Sequence, residues 1–181
     1  MLPSFGLTEP LVTATVTLLS SNLNSTIDSL NATITVGYKV PHAVQFLSFV
    51  PVPSTLEGGM PAVGVQRLPA QFEDDLRVSM HARHHWAIVA ILQHTDQRTL
   101  SWQLERMAQA VANTIQADRV AGTPPGTASV LKTQGGAWAT DFEGTEPGPL
   151  LGDLDVTDPE APPRSYLSWT AIVLQAKKVE I

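Results

Sequence analysis

Residues 86–92 read Trp-Ala-Ile-Val-Ala-Ile-Leu, seven consecutive apolar residues near the middle of the chain. Successive side chains of a strand point to opposite faces, so a strand with this sequence is apolar on both faces. Such a pattern is typical of a central strand that other parts of the chain cover on each side. We therefore predict one long strand over residues 78–92, with this run in its buried half.

A second strongly apolar strand is predicted at residues 165–179. Both alternating sets of residues are apolar here as well, which indicates another well-covered position in a sheet. We expect the two sets to face opposite sides: Tyr166, Ile172 and Leu174 on one, and Leu167, Trp169 and Val173 on the other.

The remaining strand signals are shorter. Residues 38–59 include Pro-bounded segments such as residues 50–53, and because proline cannot donate to a ladder we expect extended, edge-like chain there. A short strand is predicted at residues 61–66. Residues 130–131 and 138–142 are compatible with two more strands.

Apolar residues recur at spacings of four and three from Thr8 onward, as on a helix with one buried face. Thr8 can cap this helix, and Pro10 is tolerated in its first turn. A β-rich start, based on residues 13–18, is the alternative interpretation. The recurring residues are Val12, Val16, Leu19, Leu23, Ile27, Leu30 and Ile34.

Three polar residues interrupt this pattern. Asn22, Asn24 and Ser25 belong to residue types that favour caps and turns over helix interiors. We therefore predict a break, with a first helix ending at about Leu23 and a shorter second helix ending at about Asn31.

A further helix follows the central strand and has the clearest amphipathic pattern in the sequence. Thr95 or Asp96 supplies its N-cap, and residues 122–126, Gly-Thr-Pro-Pro-Gly, end it. Its apolar face is formed by Leu100, Leu104, Met107, Ala108, Val111 and Ile115, and its outer face by Arg98, Gln103, Gln109 and Asn113.

Residues 141–163 differ from the rest of the chain. This stretch has seven acidic residues, no Lys or Arg, and repeated Pro and Gly. We expect a long loop that does not fold on its own contacts. It is either an arm that a partner orders or a loop without a specific role.

Length and composition limit the folds and functions that the chain can have. A chain of 181 residues makes one domain, 1–181, and the mixture of elements predicts an α+β fold, a mostly antiparallel or mixed β-sheet packed against two main α-helices. The absence of cysteine excludes disulfides and thiolate chemistry. A net charge of −6 with scattered basic residues disfavours a nucleic-acid-binding surface. We expect a soluble chain without a signal peptide, a spanning helix or a membrane partner.

Histidines give the best candidate for chemistry. His81, His84 and His85 lie close in sequence, with His94 further on, and neutral imidazoles are common ligands for transition metals. On a strand, however, His84 faces the side opposite to His81 and His85. We therefore expect polar strand-end histidines, with no catalytic residue, no metal and no cofactor. A metal-dependent enzyme is the alternative.

The order of elements resembles the tail terminator family of long-tailed bacteriophages. An N-terminal helix precedes a Pro-Ala-Val strand and the long apolar strand, after which come the second helix and the closing strand. Members commonly carry an Arg and an Ala in the middle of the second helix, as Arg106 and Ala110 do here. The chain departs from the family where Met107 replaces a common aromatic and where the acidic loop is long.

This resemblance implies a structural role without turnover. It implies a ring, typically of six copies, that caps the tail tube, stops its polymerisation and meets the head-side connector, at the junction of tail and head in a virion assembled in the host cytoplasm. DNA would pass through the lumen without specific binding, since like charge suppresses adhesion. A head-completion protein that docks on a portal is one rival interpretation, and a monomeric ligand-binding module is another.

Six residues are candidate contacts of such a ring. Trp102, on the second helix near Arg106, is a candidate partner anchor because Trp is enriched at interface hot spots. The acidic loop contributes four further candidates at a ring or tube contact or beside the lumen: Asp153, Asp155, Asp158 and Glu160.

Overall fold

The computed structural model describes residues 9–35, 37–50, 59–69, 71–75, 79–121, 137–147, 151–152 and 166–179. These residues form two long helices and one mixed sheet, so the predicted α+β class is confirmed. Helix α1 is Glu9–Thr33 and helix α2 is Gln97–Ala121. The strands are β1 Gln45–Leu47, β2 Ala62–Arg67, β3 Gln71–Asp75, β4 Ser79–His94, β5 Ala137–Pro147, β6 Leu151–Gly152 and β7 Tyr166–Val179.

Strands β4 and β7 form the middle of the sheet, whose order is β1-β2-β4-β7-β5. Along one side of β4, β2 pairs with residues 86–91 and β3 with residues 79–83. Along the outer side of β7, β5 and β6 follow one another in the same way. Only the β1–β2 pair is parallel among these ladders, and the rest are antiparallel.

The apolar run of β4 is buried on both faces, as its sequence predicts. Its even-numbered residues, such as Trp86 and Leu92, pack with both helices in the larger core cluster. Its odd-numbered residues, such as Val89 and Ile91, belong to a second cluster on the other face. Strand β7 divides in the predicted way: Tyr166, Ile172 and Leu174 pack in the first cluster, and Leu167, Trp169 and Val173 in the second.

Helix α1 is continuous, so both the predicted break near Leu23 and the alternative of a β-rich start are wrong. The polar residues expected to interrupt it find hydrogen-bond partners while remaining helical. Asn22 donates to the carbonyl of Leu18 at 3.1 Å, a bond to the preceding turn of the helix itself. Asn24 reaches another segment of the chain. Buried leucines and Ile27 then hold the helix to the core.

Helix α2 begins as the sequence predicts, with Asp96 as its N-cap. The Asp96 carboxylate accepts a hydrogen bond from the backbone N–H of Thr99 at 2.7 Å. Hydrogen bonds from the side chain and then the backbone of Thr99 lower the pKa of this carboxyl group below its usual value. Leu100, Met107, Val111 and Ile115 of this helix are fully buried or nearly so.

Two parts of the sheet differ from the prediction. The sequence does not predict strand β3, because residues 73–75, Glu-Asp-Asp, belong to types that strands disfavour. Part of the loop expected at residues 141–163 is strand: β5 extends to Pro147, and β6 pairs with β7. Other predictions fall outside the described residues: the Thr8 cap, the stop at 122–126, the strand at 130–131 and the loop over 153–163.

Neither α1 nor α2 is long and apolar enough to span a membrane, and no other helix occurs in the described ranges.

A buried hydrogen bond connects helix α1 to the central strand. The indole N–H of Trp86 donates to the hydroxyl of Thr15 at 3.1 Å, and Thr15 in turn donates to the carbonyl of Leu11 at 2.7 Å. Both Thr15 and Trp86 have no exposed surface. The hydroxyl therefore satisfies an indole donor that water cannot reach.

Replacing this hydroxyl is expected to destabilise the fold. Thr15→Val keeps the shape but leaves the Trp86 N–H without its acceptor, so the free energy of unfolding should fall by about 1–3 kcal/mol. Denaturant unfolding measures this change. Thr17→Val is the matched control, because Thr17 makes the same type of bond, to the Thr13 carbonyl, at an exposed position. Equal effects of the two substitutions would contradict the assignment.

Candidate assembly interface

Two asparagines of α1 hold an extended segment, residues 38–43, which we call the strap. Asn31 accepts from the N–H of Val40 at 2.9 Å and donates to its carbonyl at 2.8 Å. Asn24 makes the same pair of bonds to Ala43, at 2.9 and 3.1 Å. Each side-chain amide thus pairs with a backbone residue much as a neighbouring strand would.

The spacing of these bonds follows from backbone geometry. Seven residues of helix, from Asn24 to Asn31, rise about 10.5 Å, and three extended residues, from Val40 to Ala43, span about 10 Å. Pro41 lies between the two bonded residues and has no N–H to satisfy. The strap therefore runs antiparallel to α1 with its polar groups in register with the two asparagines.

Helix α2 holds the start of the same strap. Gln103 donates to the carbonyl of Lys39 at 2.8 Å, and the guanidinium of Arg106 donates to the carbonyl of Tyr38. An exposed contact between His42 and Asp28, at 2.7 Å, adds a further connection to α1. The strap is thus bound to both helices.

The strap leads directly into strand β1 at the edge of the sheet. The N–H of Val44 donates to the carbonyl of Pro61 at 2.9 Å, and Gln45 then pairs with Ala62 in the parallel ladder. No further strand pairs with the outer side of β1 within the described parts of the chain.

Two large apolar side chains are exposed beside this edge. Val44 and Phe49, which lie on either side of β1 in the chain, are 57% and 56% exposed, and we refer to the two residues as the β1 patch. The chain at Phe49 passes very close to β2, because a Cβ atom added to Gly64 would lie 2.5 Å from the Phe49 carbonyl oxygen. Gly64 therefore allows this crossing, while Val50, the next residue after Phe49, packs in the second core cluster.

The opposite edge of the sheet is formed by β5. This strand of 11 residues pairs with β7, and a register shift between Phe142 and Gly144 marks a bulge at Glu143. Bulges of this kind often occur at sheet edges. The described part of the subunit therefore has two dissimilar borders, a short β1 with an apolar patch and a long β5.

The predicted contact residues differ in their exposure and in whether the structure describes them. Trp102 is 42% exposed on α2, so its side chain is accessible to a partner. Arg106 is half-buried and holds the strap, which gives it a structural task inside the chain. Ala110 matches the tail terminator pattern and Met107 departs from it, and both residues are fully buried. Asp153, Asp155, Asp158 and Glu160 lie outside the described residues.

Two neighbouring histidines of β4, His84 and His85, are buried, and each interacts with other groups of the fold. Burial lowers the pKa of His84, and Coulombic interactions with Arg67 and then with His85 lower it further. The described residues contain no group of three or more His, Cys, Asp or Glu that could hold a metal ion. The side chain of His81 lies outside the described part of the chain.

Sequence reasoning does not identify Asn24, Asn31, Val44 or Phe49 as interface or strap residues. It marks the first asparagine as a helix interruption and the second as a helix end. Their spacing of seven, which places them on one face of a helix, is a signal that both could bind the same neighbouring segment. Nothing in the sequence marks Val44 and Phe49 as exposed, since apolar residues in a β-rich segment are expected to be buried.

No protein-family model matches the chain, and no curated protein does. A solved structure titled "Virion of native gene transfer agent (GTA) particle" is similar at a TM-score of 0.47 and 16% sequence identity. The match covers 96% of this chain and 98% of that one. At this level of similarity we draw no functional conclusion from it.

The strap provides a second test of the structure. Asn31→Ala removes both bonds to Val40, a residue that is only 2% exposed, and should lower the free energy of unfolding by about 1–3 kcal/mol. The Val40 amide should also exchange its hydrogen faster with solvent, which exchange mass spectrometry or NMR detects.

Asn22→Ala is the matched control for this test, because Asn22 is exposed on the same helix and bonds only to its own preceding turn. Asn31→Ala should be clearly more damaging than Asn22→Ala. If Val40 stays protected in Asn31→Ala, the strap is not held by this asparagine.

Proposed function

We propose that the chain is a structural virion protein that assembles into a ring, six copies in number, at the junction of tail and head. The ring caps the tail tube, stops its polymerisation and presents a surface to the head-side connector. One observation carries the proposal: the two borders of a single sheet are unlike, a short β1 with an exposed apolar patch and a long β5 whose sequence contains carboxylates.

Two different borders suit a ring. A closed ring requires head-to-tail contacts, in which one patch of each copy fits a different patch of the next. A two-fold pair instead joins one border to the same border of the second copy, and therefore leaves the other border of each copy uncovered. Open strand edges also need cover, because an exposed edge binds other strands without selectivity. Assembly covers such edges, and this supports a role in which the chain works as one copy among several.

We assign Trp102 to the contact with the tube or the connector. Large aromatic side chains that are accessible before assembly give much of the binding energy of protein interfaces. Helix α2 fixes the position of Trp102 through buried Leu100 and through Gln103, which binds the strap. Arg106 acts in this proposal as a positioning residue, because it holds Tyr38 of the strap beside α2.

The proposal includes no catalytic group and no cofactor. Its partners are sister copies, the tail tube protein and the head-side connector, with DNA passing through the lumen.

Growth of tail tubes tests the function directly. Purified tube protein polymerised with the full chain should give shorter tubes, each with a ring at one end in negative-stain electron microscopy. Trp102→Ala should lose this capping while keeping its fold, since loss of an interface hot spot costs about 2 kcal/mol or more, roughly a thirtyfold weakening.

Gln109→Ala is the control variant, because its bond to Asn113 lies on an exposed part of the same helix. It should cap tubes as the natural chain does. Tubes that grow to normal length with the natural chain present would refute the capping role. Binding to portal protein in place of tube protein would identify a head-completion adaptor.

The four acidic residues of the predicted loop have a separate proposed role. Asp153, Asp155, Asp158 and Glu160 would lie at a ring or tube contact or beside the lumen, where negative charge keeps DNA from adhering. Neutralising all four to Asn or Gln should impair the joining of tails to heads, scored by electron microscopy. Neutralising Glu9 and Glu105, two exposed carboxylates of the helices, should have no effect. Unchanged joining in the fourfold variant would remove this assignment.

A further inference from the structure

At one position along the strands, the two borders of the sheet carry residues of opposite charge. The register places Arg67 of β2, Trp86 of β4, Leu174 of β7 and Phe142 of β5 in one row across the sheet. In sequence, Phe142 lies between Asp141 and Glu143. One end of this row is therefore basic, and the other end lies among carboxylates.

Carboxylates lie on the β1–β2–β3 border further along the strands. A second row joins Gln71 of β3, Arg83 of β4, Lys177 of β7 and Ala139 of β5. Beyond Gln71, residues 73–75 of β3 are Glu-Asp-Asp, whereas β5 contains no Lys or Arg. A β5 strand from another copy would therefore meet opposite charge in the row of Arg67 and like charge beside residues 73–75.

Both borders have backbone that is open to a neighbour. Strand β1 covers only Ala62, Val63 and Gly64 of β2, so residues 65–67 face no further strand within the described ranges. In the same ranges, β3 pairs only with β4, and β5 only with β7.

Apolar residues accompany the charges on both sides. The β1 patch, Val44 and Phe49, is exposed, and residues 37–50 and 59–69 contain Lys39 and Arg67 but no carboxylate. Strand β5 combines Ala137, Trp138, Ala139 and Phe142 with its acidic residues.

We propose that β5 of one copy binds the β1–β2–β3 border of the next copy, so that the sheet continues from subunit to subunit. In this contact, Asp141 and Glu143 of one copy lie beside the row of Arg67 of the next copy. This inference rests on the ring proposed above and names the contact that closes it.

The charge pattern limits how copies combine. When Phe142 of one copy lies in the row of Arg67 of the next, opposite charges meet, and a slip of β5 towards β3 brings its carboxylates beside those of residues 73–75. A two-fold pair made from two β1–β2–β3 borders would also match opposite signs. Such a pair leaves β5 without a neighbour, however, and it does not depend on the charges of β5. The two arrangements therefore differ in one measurable property, the effect of reversing charge on β5.

Charge reversal in the full chain tests the contact. One variant carries Arg67→Glu, and a second, β5-reversed variant carries Asp141→Lys with Glu143→Lys. Light scattering or native mass measurement, on the chain alone and on tube ends, reports the number of copies. Each variant alone should associate about tenfold more weakly or worse, because like charges then meet at every contact.

An equimolar mixture of the two variants should restore the ring. In the mixture, the reversed β5 of one chain meets Glu at position 67 of the other, and the natural β5 meets the natural Arg67. Restoration also shows that both variants are folded, so that loss of assembly alone cannot be mistaken for misfolding. As a control, the natural chain should associate more weakly in 1 M salt than in 0.1 M salt, because the screening length falls from about 10 Å to about 3 Å.

The outcomes separate this inference from the proposed function. Rings of normal stability in the β5-reversed variant would overturn the β5 contact and leave the ring in place. A mixture that stays dispersed while both chains show native circular dichroism would also overturn it. A natural chain that forms no ring, alone or on tubes, would overturn the proposed function together with the inference.

Discussion

Strand β4 sets the constraint on which the rest of the structure depends. Its residues 86–92 are apolar on both faces, so the strand is stable only where both faces and both edges are covered. Strand β7 has the same character and pairs with it over 12 residues, from Arg83 with Lys177 to His94 with Tyr166. With the two most apolar strands in the middle, β1, β3 and β5 occupy the borders. The strands that form the described borders are thus a consequence of which strands the core requires.

The helices contribute to the same arrangement by positioning a border as well as covering a face. Leucines of α1 and α2 bury the side of the sheet that carries Trp86, while polar residues of the same helices hold the strap. The strap contains Pro41 and pairs with side-chain amides in place of a neighbouring strand, which lets it pass from the helices to the sheet without unsatisfied amide groups at Val40 and Ala43. Both helices are therefore connected to β1 and the exposed Val44 through hydrogen bonds to the strap.

Much of this fold could be predicted from the sequence because buried positions recur with the period of a strand or of a helix. Residues 86–92 and strand β7 are apolar on both faces, and apolar residues recur at helical spacing from Leu100 to Ile115. These patterns predicted three central elements and their buried faces. The predictions were wrong where a long-range contact outweighed local preference. Helix α1 continues through Asn24, whose side-chain amide donates to the carbonyl of Ala43. Strand β3 forms because it pairs with β4, although its residues disfavour strands. The candidate site was less accessible to prediction. Exposure of Val44 and Phe49 depends on how the strap positions β1, and the charge rows depend on register, neither of which a single sequence displays.

Register also bears on how a negatively charged chain would bind copies of itself in the proposed ring. A net charge of −6 spread evenly would make copies repel one another, but repulsion between neighbours depends on which charges meet at the contact. With Arg67 in the row of Phe142, whose sequence neighbours are Asp141 and Glu143, opposite charges meet at this point of the proposed head-to-tail contact. The remaining acidic residues can then face solvent, tube or lumen. In the proposed ring each copy uses each border once, so the pairing that attracts the next copy would also cover both described borders of the sheet.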